Sequence, residues 1–251
     1  MVQVSQRTSL SGPTLIRLLA RMTDVDVPAS RQSLSDRLSQ WLGWADAIAL
    51  SAVLNGDAPA VASGARAFGS AEELACARAR TALANAIAGD GASAPAKRRG
   101  QAQAPTQAQP MDAAVDYATY RQRYLSMQQA MELDIGSLRG RLRAMLAART
   151  PAMSRLAAVD AVMEGALGAR ERNLLAGVPA LLEGHFARLR QAGQATLADA
   201  QVSGKSAGES AAVTPGAWLD VFRKDMRSVL LAELDIRFQP VEGLLAALRS
   251  S

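Results

Sequence analysis

Apolar residues recur at helical spacing along most of the chain, and the strongest pattern predicts one very long helix. Residues 112–149 contain no proline, and their large apolar side chains follow one another in steps of three and four. This is the spacing of a coiled-coil seam with one irregularity, where two steps of four meet. A helix over this range has a length of about 57 Å, well beyond the usual helix of a globular protein. The seam consists of Tyr117, Tyr120, Tyr124, Met127, Met131, Ile135, Leu138, Leu142 and Met145.

A second helix follows directly and is expected to fold back against the first. Thr150 and Pro151 form a helix start, because threonine caps a helix and proline suits the first turn. The apolar spacing then continues to about Leu175, which predicts an antiparallel hairpin. Gly136 and Gly140 lie inside the first helix, where they weaken it or permit a kink or a close helix contact.

Two of the three tryptophans lie one turn apart in a single predicted helix, which runs from about residue 30 to Asn55. Apolar residues at steps of three and four form one stripe along this helix, and Trp41 belongs to that stripe. Trp44 lies on a neighbouring stripe. We therefore expect Trp41 in the core and Trp44 in a contact with the other half of the chain or with a partner, a role that tryptophan favours.

Two more helices are predicted in the first 90 residues. One covers residues 10–23, with Ser11 as its cap and its leucines on one face. The other starts at Ser70, whose spacing to Glu73 is that of a capping box, and runs to about Ala88.

The C-terminal part of the chain predicts three shorter helices separated by breaks. A helix over residues 179–192 follows the hairpin, and residues 193–214 predict a loop because they are rich in small and polar residues. Pro215 starts the next helix, which runs to about Phe238, and Pro240 starts a short final helix.

Together these elements predict an all-α fold with two helical modules. Residues 1–88 form an N-terminal module, and residues 89–110 predict a disordered linker because they hold almost no large apolar residue. Residues 111–251 form the long, coiled-coil-like hairpin closed by the C-terminal helices, with a flexible loop over 193–214. The composition agrees, because alanine and leucine dominate the apolar residues and only 4% of residues are aromatic.

The formal net charge of +5 comes from a basic excess in the predicted linker and the long hairpin. Residues 91–110 have three basic and no acidic residues, and residues 111–193 have 11 basic and 8 acidic ones. A nucleic-acid interface therefore has one candidate basic patch, made of Lys97, Arg98, Arg99, Arg139, Arg141, Arg143 and Arg149. Arg155 extends the basic zone around the hairpin tip. The favoured interpretation is instead a solvated helix face whose arginines pair with Glu132, Asp134, Asp160 and Glu164.

No motif in the sequence carries recognisable chemistry. His185 and Cys76 are the single histidine and cysteine, which is too few for a usual zinc site, and neither has a motif for catalysis around it. The SGKS stretch at residues 203–206 lacks the glycine and the preceding strand of a phosphate-binding loop. We therefore expect no catalytic site, no metal and no cofactor.

The sequence predicts a cytoplasmic protein. Its first residues lack the apolar core of a signal peptide, and no apolar run reaches the roughly 18 residues of a membrane span. A single cysteine fits a reducing compartment.

Several stretches resemble one family. SGPTLIRLLARMTDVDVPASRQSLSDRLSQWLGWADAIALSAVLN, YRQRYLSMQQAME, ARERNLLAGVPALLEGHFARLR and LLAELDIRFQPVEGLLAALR are similar to an uncharacterised proteobacterial family, domain of unknown function 3348. The resemblance covers almost the whole chain and implies no activity, cofactor or catalytic residue. Family members are encoded near envelope proteins of the OmpA and flagellar-motor-stator type, which implies work beside a membrane complex.

We therefore expect a non-enzymatic interaction or scaffold protein that acts through helix packing with a protein partner. Nucleic-acid binding through the basic patch is the alternative. Two interpretations of the seam stay open, a core stripe within the chain and an intermolecular coiled coil of a homo-oligomer. The candidate partner-binding residues are Trp41, Trp44, Tyr117, Tyr120, Tyr124, Met127 and Met131.

Overall fold

The computed structural model describes residues 13–25, 32–56, 69–89, 116–202 and 216–250, and within these ranges the chain forms eight helices and no strand. The predicted all-α fold is confirmed. None of the helices in these ranges is both long enough and apolar enough to span a bilayer. The helices are α1 (Thr14–Thr23), α2 (Leu34–Trp41), α3 (Trp44–Asn55), α4 (Ser70–Gly89), α5 (Tyr117–Ala147), α6 (Pro151–Leu175), α7 (Val178–Val202) and α8 (Ala217–Arg249).

The last helix, α8, lies at the centre of the core. It contacts α1, α4, α5 and α7 and buries residues along its whole length. The same core includes apolar residues that precede the predicted linker, among them Leu15, Cys76 and Leu83. The predicted division into two modules is therefore not matched by two separate cores. The linker itself, residues 89–110, lies outside the described residues except for Gly89.

The predicted hairpin of α5 and α6 is present, and α6 has the bounds that the sequence predicts. The Thr150 hydroxyl caps α6 by accepting a hydrogen bond from the Met153 amide at 3.2 Å. Gly136 and Gly140 lie within α5, and a Cβ atom at either position would meet no atom within 4 Å. Neither glycine is therefore needed for close contact within the chain.

The seam of α5 packs inside the chain, which is a correction to the intermolecular interpretation. Tyr124 and Met131 are fully buried and Tyr117 is 8% exposed, while Tyr120 and Met127 are half-buried against the same core. The buried side chains of Tyr117, Tyr124 and Met131 are therefore not free to bind a partner. They stabilise the fold by burying apolar area against α8 and its neighbours.

The single helix predicted from about residue 30 to Asn55 is in fact two helices. Leu42 is extended, with ψ 126°. Gly43 is the N-cap of the next helix, α3, and its amide donates to the Asp46 carboxylate at 3.0 Å. The break resets the helical register, so the predicted apolar stripe is not continuous. Within α2 and α3 no residue is buried, and Leu50 and Val53 are only half-buried.

The start of α4 is shifted by one residue from the predicted capping box. The Gly69 amide, rather than that of Ser70, donates to a carboxylate three residues later, that of Glu72, at 3.1 Å. Glu73 is left to pair with Arg249 of α8 at 2.6 Å.

The C-terminal breaks were predicted wrongly in two places. The helix α7 does not end near residue 192 but continues to Val202, because residues 194–202 are mostly good helix formers. Pro240 does not start a new helix but lies inside α8. A proline inside a helix costs about 3 kcal/mol. Burial of the apolar residues beyond it offsets that cost, namely Val241, Leu244, Leu245 and Leu248.

Gly193 is required where α7 crosses the start of α8. A Cβ atom at Gly193 would lie 2.7 Å from Cδ1 of Trp218, closer than side chains pack. We expect Gly193→Ala to lower the free energy of unfolding by about 1–3 kcal/mol, measured by urea denaturation. Gly184→Ala on the same helix is the matched control, because its Cβ would meet only the end of the Arg188 side chain at 3.8 Å. Equal effects of the two substitutions would contradict this explanation.

Candidate functional site

The helices α2 and α3 form an arm that lies on α6. The Arg170 guanidinium stands 4.8 Å from the centre of the Trp41 ring at one end of the contact. At the other end, Arg155 donates to the Gly56 carbonyl at 3.1 Å. Since early residues of the arm meet late residues of α6, α3 runs antiparallel to α6. The sequence predicts Trp41 in the core. In the structure it is instead half-buried beneath the Arg170 guanidinium.

The outer side of α3 is an apolar surface that we call the Trp44 face, made of Trp44, Ala47, Ile48 and Ser51. These residues follow one another at steps of three or four or lie beside one another on the helix, opposite the half-buried Val53. Trp44 is 83% exposed and Ile48 is 53% exposed. The predicted separation of the two tryptophans is thus present, with Trp41 against the chain and Trp44 facing away from it.

Two of the four described arginines of the predicted basic patch pair with carboxylates within the hairpin. Arg139 lies 2.7 Å from Asp160, and Arg143 contacts Asp160 at 2.8 Å as well as Glu164. Burial by itself raises the pKa of Asp160, but the hydrogen bonds and charges of the two arginines hold that pKa below its ordinary value. Arg139 and Arg143 have side chains only 15% and 21% exposed.

Within the described residues, the predicted basic patch is therefore partly neutralised by carboxylates. The predicted pairing with Asp160 and Glu164 is present, and Glu132 pairs with Arg172 at 3.4 Å. Arg141 is exposed and Arg149 is half-buried, at separate places on the hairpin tip. The linker residues Lys97, Arg98 and Arg99 lie outside the described residues, as does the SGKS stretch at 203–206.

A cleft of about 240 Å³ opens between α5, α6 and α8. Its floor is apolar, and three arginine–glutamate pairs surround it. Serine, cysteine, histidine and lysine are absent from its described lining, so its only ionisable groups there are these arginines and glutamates. The pairs are Arg139–Glu164 at 3.5 Å, Arg172–Glu132 at 3.4 Å and Arg237–Glu171 at 3.7 Å.

A buried polar network beside this cleft is the feature that the sequence analysis missed. Glu233 is fully buried, and its carboxylate accepts from Tyr124 at 2.6 Å, from Gln128 at 3.0 Å and from Arg237 at 2.9 Å. Burial, together with the Glu233 charge, raises the pKa of Tyr124. The signal was present in the sequence, because Glu233 occupies a position on the apolar stripe of α8 one turn after Val229.

The single histidine and the single cysteine have structural surroundings. His185 Nε2 lies 2.8 Å from Asp225, and its ring stands against Phe222. Cys76 is 2% exposed, and burial raises the pKa of its thiol, as expected for a packed cysteine. Among the described residues, no group of three or more His, Cys, Asp or Glu side chains is placed to hold a metal ion.

Comparisons with known proteins give one match. A search of curated proteins and a search of solved structures each found no match. The family model described as Protein of unknown function (DUF3348) matches residues 1–250, which is nearly the whole chain. The chain therefore belongs to the DUF3348 family of proteins of unknown function.

Proposed function

We propose that this chain is a non-enzymatic, cytoplasmic interaction protein that binds a protein partner through the Trp44 face. The single observation that carries the proposal is the 83% exposure of Trp44 on a helix whose inner side already contacts α6. Tryptophan is the residue type most enriched among the residues that dominate binding energy at protein interfaces.

The energy available at this face is large enough for a specific contact. An aromatic side chain buries roughly 150–250 Å² when it is covered, at about 25 cal/mol per Å². Covering Trp44 therefore gives about 4–6 kcal/mol before the costs of association. Ile48 adds apolar area one turn further along the same face. A protein partner with an apolar pocket fits this chemistry better than a nucleic acid, because the face carries no basic residue.

The arm is also built so that its outer face can change without loss of the fold. No residue of α2 or α3 is buried, and the central core is formed by the other helices. We expect Trp44→Ala to leave the helix content and the unfolding temperature unchanged. It should weaken partner binding by about 2 kcal/mol or more, which is about 30-fold in the dissociation constant.

The test is site-specific photo-crosslinking in the cells that make the protein. A photoreactive amino acid at position 44 should give a discrete adduct with one protein, and position 48 should give the same adduct. Position 133 on α5 is the matched control, because Leu133 is an apolar residue with 65% exposure outside the arm. The partner identified in this way is then titrated against the chain and its Trp44→Ala variant. The proposal fails if positions 44 and 133 give the same adducts, or if Trp44→Ala binds the identified partner as well as the unchanged chain does.

Nucleic-acid binding through the predicted basic patch receives no support from the described residues. Arg139 and Arg143 would have to leave Asp160 and Glu164 to contact phosphates, and that would expose two carboxylates to the same phosphates.

A further inference from the structure

Three arginines and a tyrosine hydroxyl converge on a small pocket where α4, α5 and α8 meet. The pocket has a volume of about 30 Å³ and lies between α4, α5 and α8, whereas the arm packs on α6. Among the described residues, its remaining walls are apolar and hold no carboxylate. The lining residues are Ile87, Tyr120, Arg123, Arg223, Met226, Arg227 and Leu230.

Several half-buried arginines in the described ranges meet carboxylates directly, as Arg139 and Arg143 do with Asp160. Arg227, by contrast, has no ion pair with any acidic side chain in the described part of the chain. Among the described residues, no carboxylate therefore balances the charge of Arg227 in this pocket.

The neighbouring arginines make that imbalance larger. Arg223 donates to the Tyr120 hydroxyl at 3.2 Å and to Asp220 at 3.1 Å, and Asp220 is itself 77% exposed, so its charge is well screened. Arg123, which has a further interaction of its own, also lines the pocket. Burial and then the charge of Arg227 lower the pKa of Arg123, as expected for two like charges held close together.

We propose that this pocket binds a tetrahedral oxyanion, either inorganic phosphate or the phosphate group of a monoester. Guanidinium groups present several donors in a planar fork that matches the oxygens of phosphate. The Tyr120 hydroxyl accepts from Arg223 and can donate its own hydrogen to an anion. A volume of about 30 Å³ has room for about two water-sized groups, so only part of a phosphate group enters the pocket and the rest of any ligand extends out of it.

The experiment compares unfolding temperatures in sodium phosphate and in sodium chloride of equal ionic strength. At a phosphate concentration ten times the dissociation constant, we expect the unfolding temperature of the full chain to rise by about 3–5 °C over that in chloride. Arg227→Met should abolish the rise. In chloride the same variant should be at least as stable as the unchanged chain, because it removes the repulsion with Arg123 and keeps an apolar stem.

Arg78→Met is the matched control, since Arg78 is an exposed arginine of α4 about 13 Å along the helix from Ile87. It should keep the full response to phosphate. A second arm replaces inorganic phosphate with phosphatidylcholine vesicles that contain phosphatidic acid. Sedimentation of the unchanged chain, but not of Arg227→Met, with these vesicles identifies a lipid headgroup as the source of the phosphate.

Three results would overturn the site. One is an unchanged unfolding temperature of the full chain in phosphate and no binding to the vesicles. The second is an equal rise in phosphate for the full chain and for Arg227→Met. The third is a clear loss of stability of Arg227→Met in chloride, which would mean that Arg227 has a structural partner.

Discussion

Replacing Arg237 with methionine is expected to lower the free energy of unfolding by about 3–5 kcal/mol, the usual cost of removing one partner of a buried ion pair. Glu233 is fully buried, and Arg237 is the cation that lies against it, 2.9 Å away and itself only 9% exposed. Without that cation, the carboxylate keeps only the neutral donors of Tyr124 and Gln128. Urea denaturation followed by circular dichroism measures the change.

The double variant Glu233→Leu with Arg237→Met separates a lost charge balance from lost packing. It removes the uncompensated carboxylate, so it should be more stable than Arg237→Met alone. It should not regain full stability, because the buried Tyr124 hydroxyl then lacks its acceptor, at a cost of about 1–3 kcal/mol. A double variant that is less stable than Arg237→Met would show that Glu233 is not destabilising when it is unpaired.

Replacing Phe222 with alanine is expected to cost a similar amount, about 3–5 kcal/mol. Phe222 is fully buried at the centre of an aromatic cluster. Its ring centre lies 5.0 Å from that of Phe186 and 5.3 Å from that of Tyr120, in edge-on arrangements. The cavity left by alanine therefore lies between α5, α7 and α8, whose rings would lose their common contact.

Val221→Ala is the matched control for Phe222→Ala, because Val221 is the next residue of α8 and is 47% exposed. Its effect should stay within about 0.5 kcal/mol. For a chain of this size, a loss of 3–5 kcal/mol lowers the unfolding temperature by roughly 6–20 °C. A shift for Phe222→Ala no larger than that for Val221→Ala would contradict the central position of this cluster.

The sequence was sufficient for elements whose boundaries have strong local signals. Thr150 and Pro151 fixed the start of α6, and the long apolar repeat identified α5. Boundaries were wrong where tertiary packing outweighs a local signal. Pro240 predicts a break, yet α8 continues through it because the apolar residues on both sides are buried in one core.

The break between α2 and α3 was missed for the opposite reason. The apolar spacing runs on across Gly43, and spacing alone carries no information about the extended backbone at Leu42. Only the capping contact between Gly43 and Asp46 reveals a new helix start. Because of this break, α2 and α3 do not present one continuous apolar stripe to α6.

The candidate site was predicted in part. Trp44 was singled out because it lies off the apolar stripe, and its exposure agrees with that interpretation. The seam residues were ambiguous, because a heptad pattern is the same whether the covering helix belongs to the same chain or to another. Only the position of α8 over α5 decides this, and α8 lies about 100 residues further along the sequence.

The measurement that tests the central claim most directly is the fluorescence of Trp44 alone in the full chain, with Trp41 and Trp218 replaced by phenylalanine. The proposal requires that nothing within the chain covers Trp44. We predict the emission of a water-exposed indole, with acrylamide quenching close to that of free tryptophan, and loss of that quenching when the crosslinked partner is added. Blue-shifted emission that is protected from acrylamide in the purified chain would contradict an open Trp44 face.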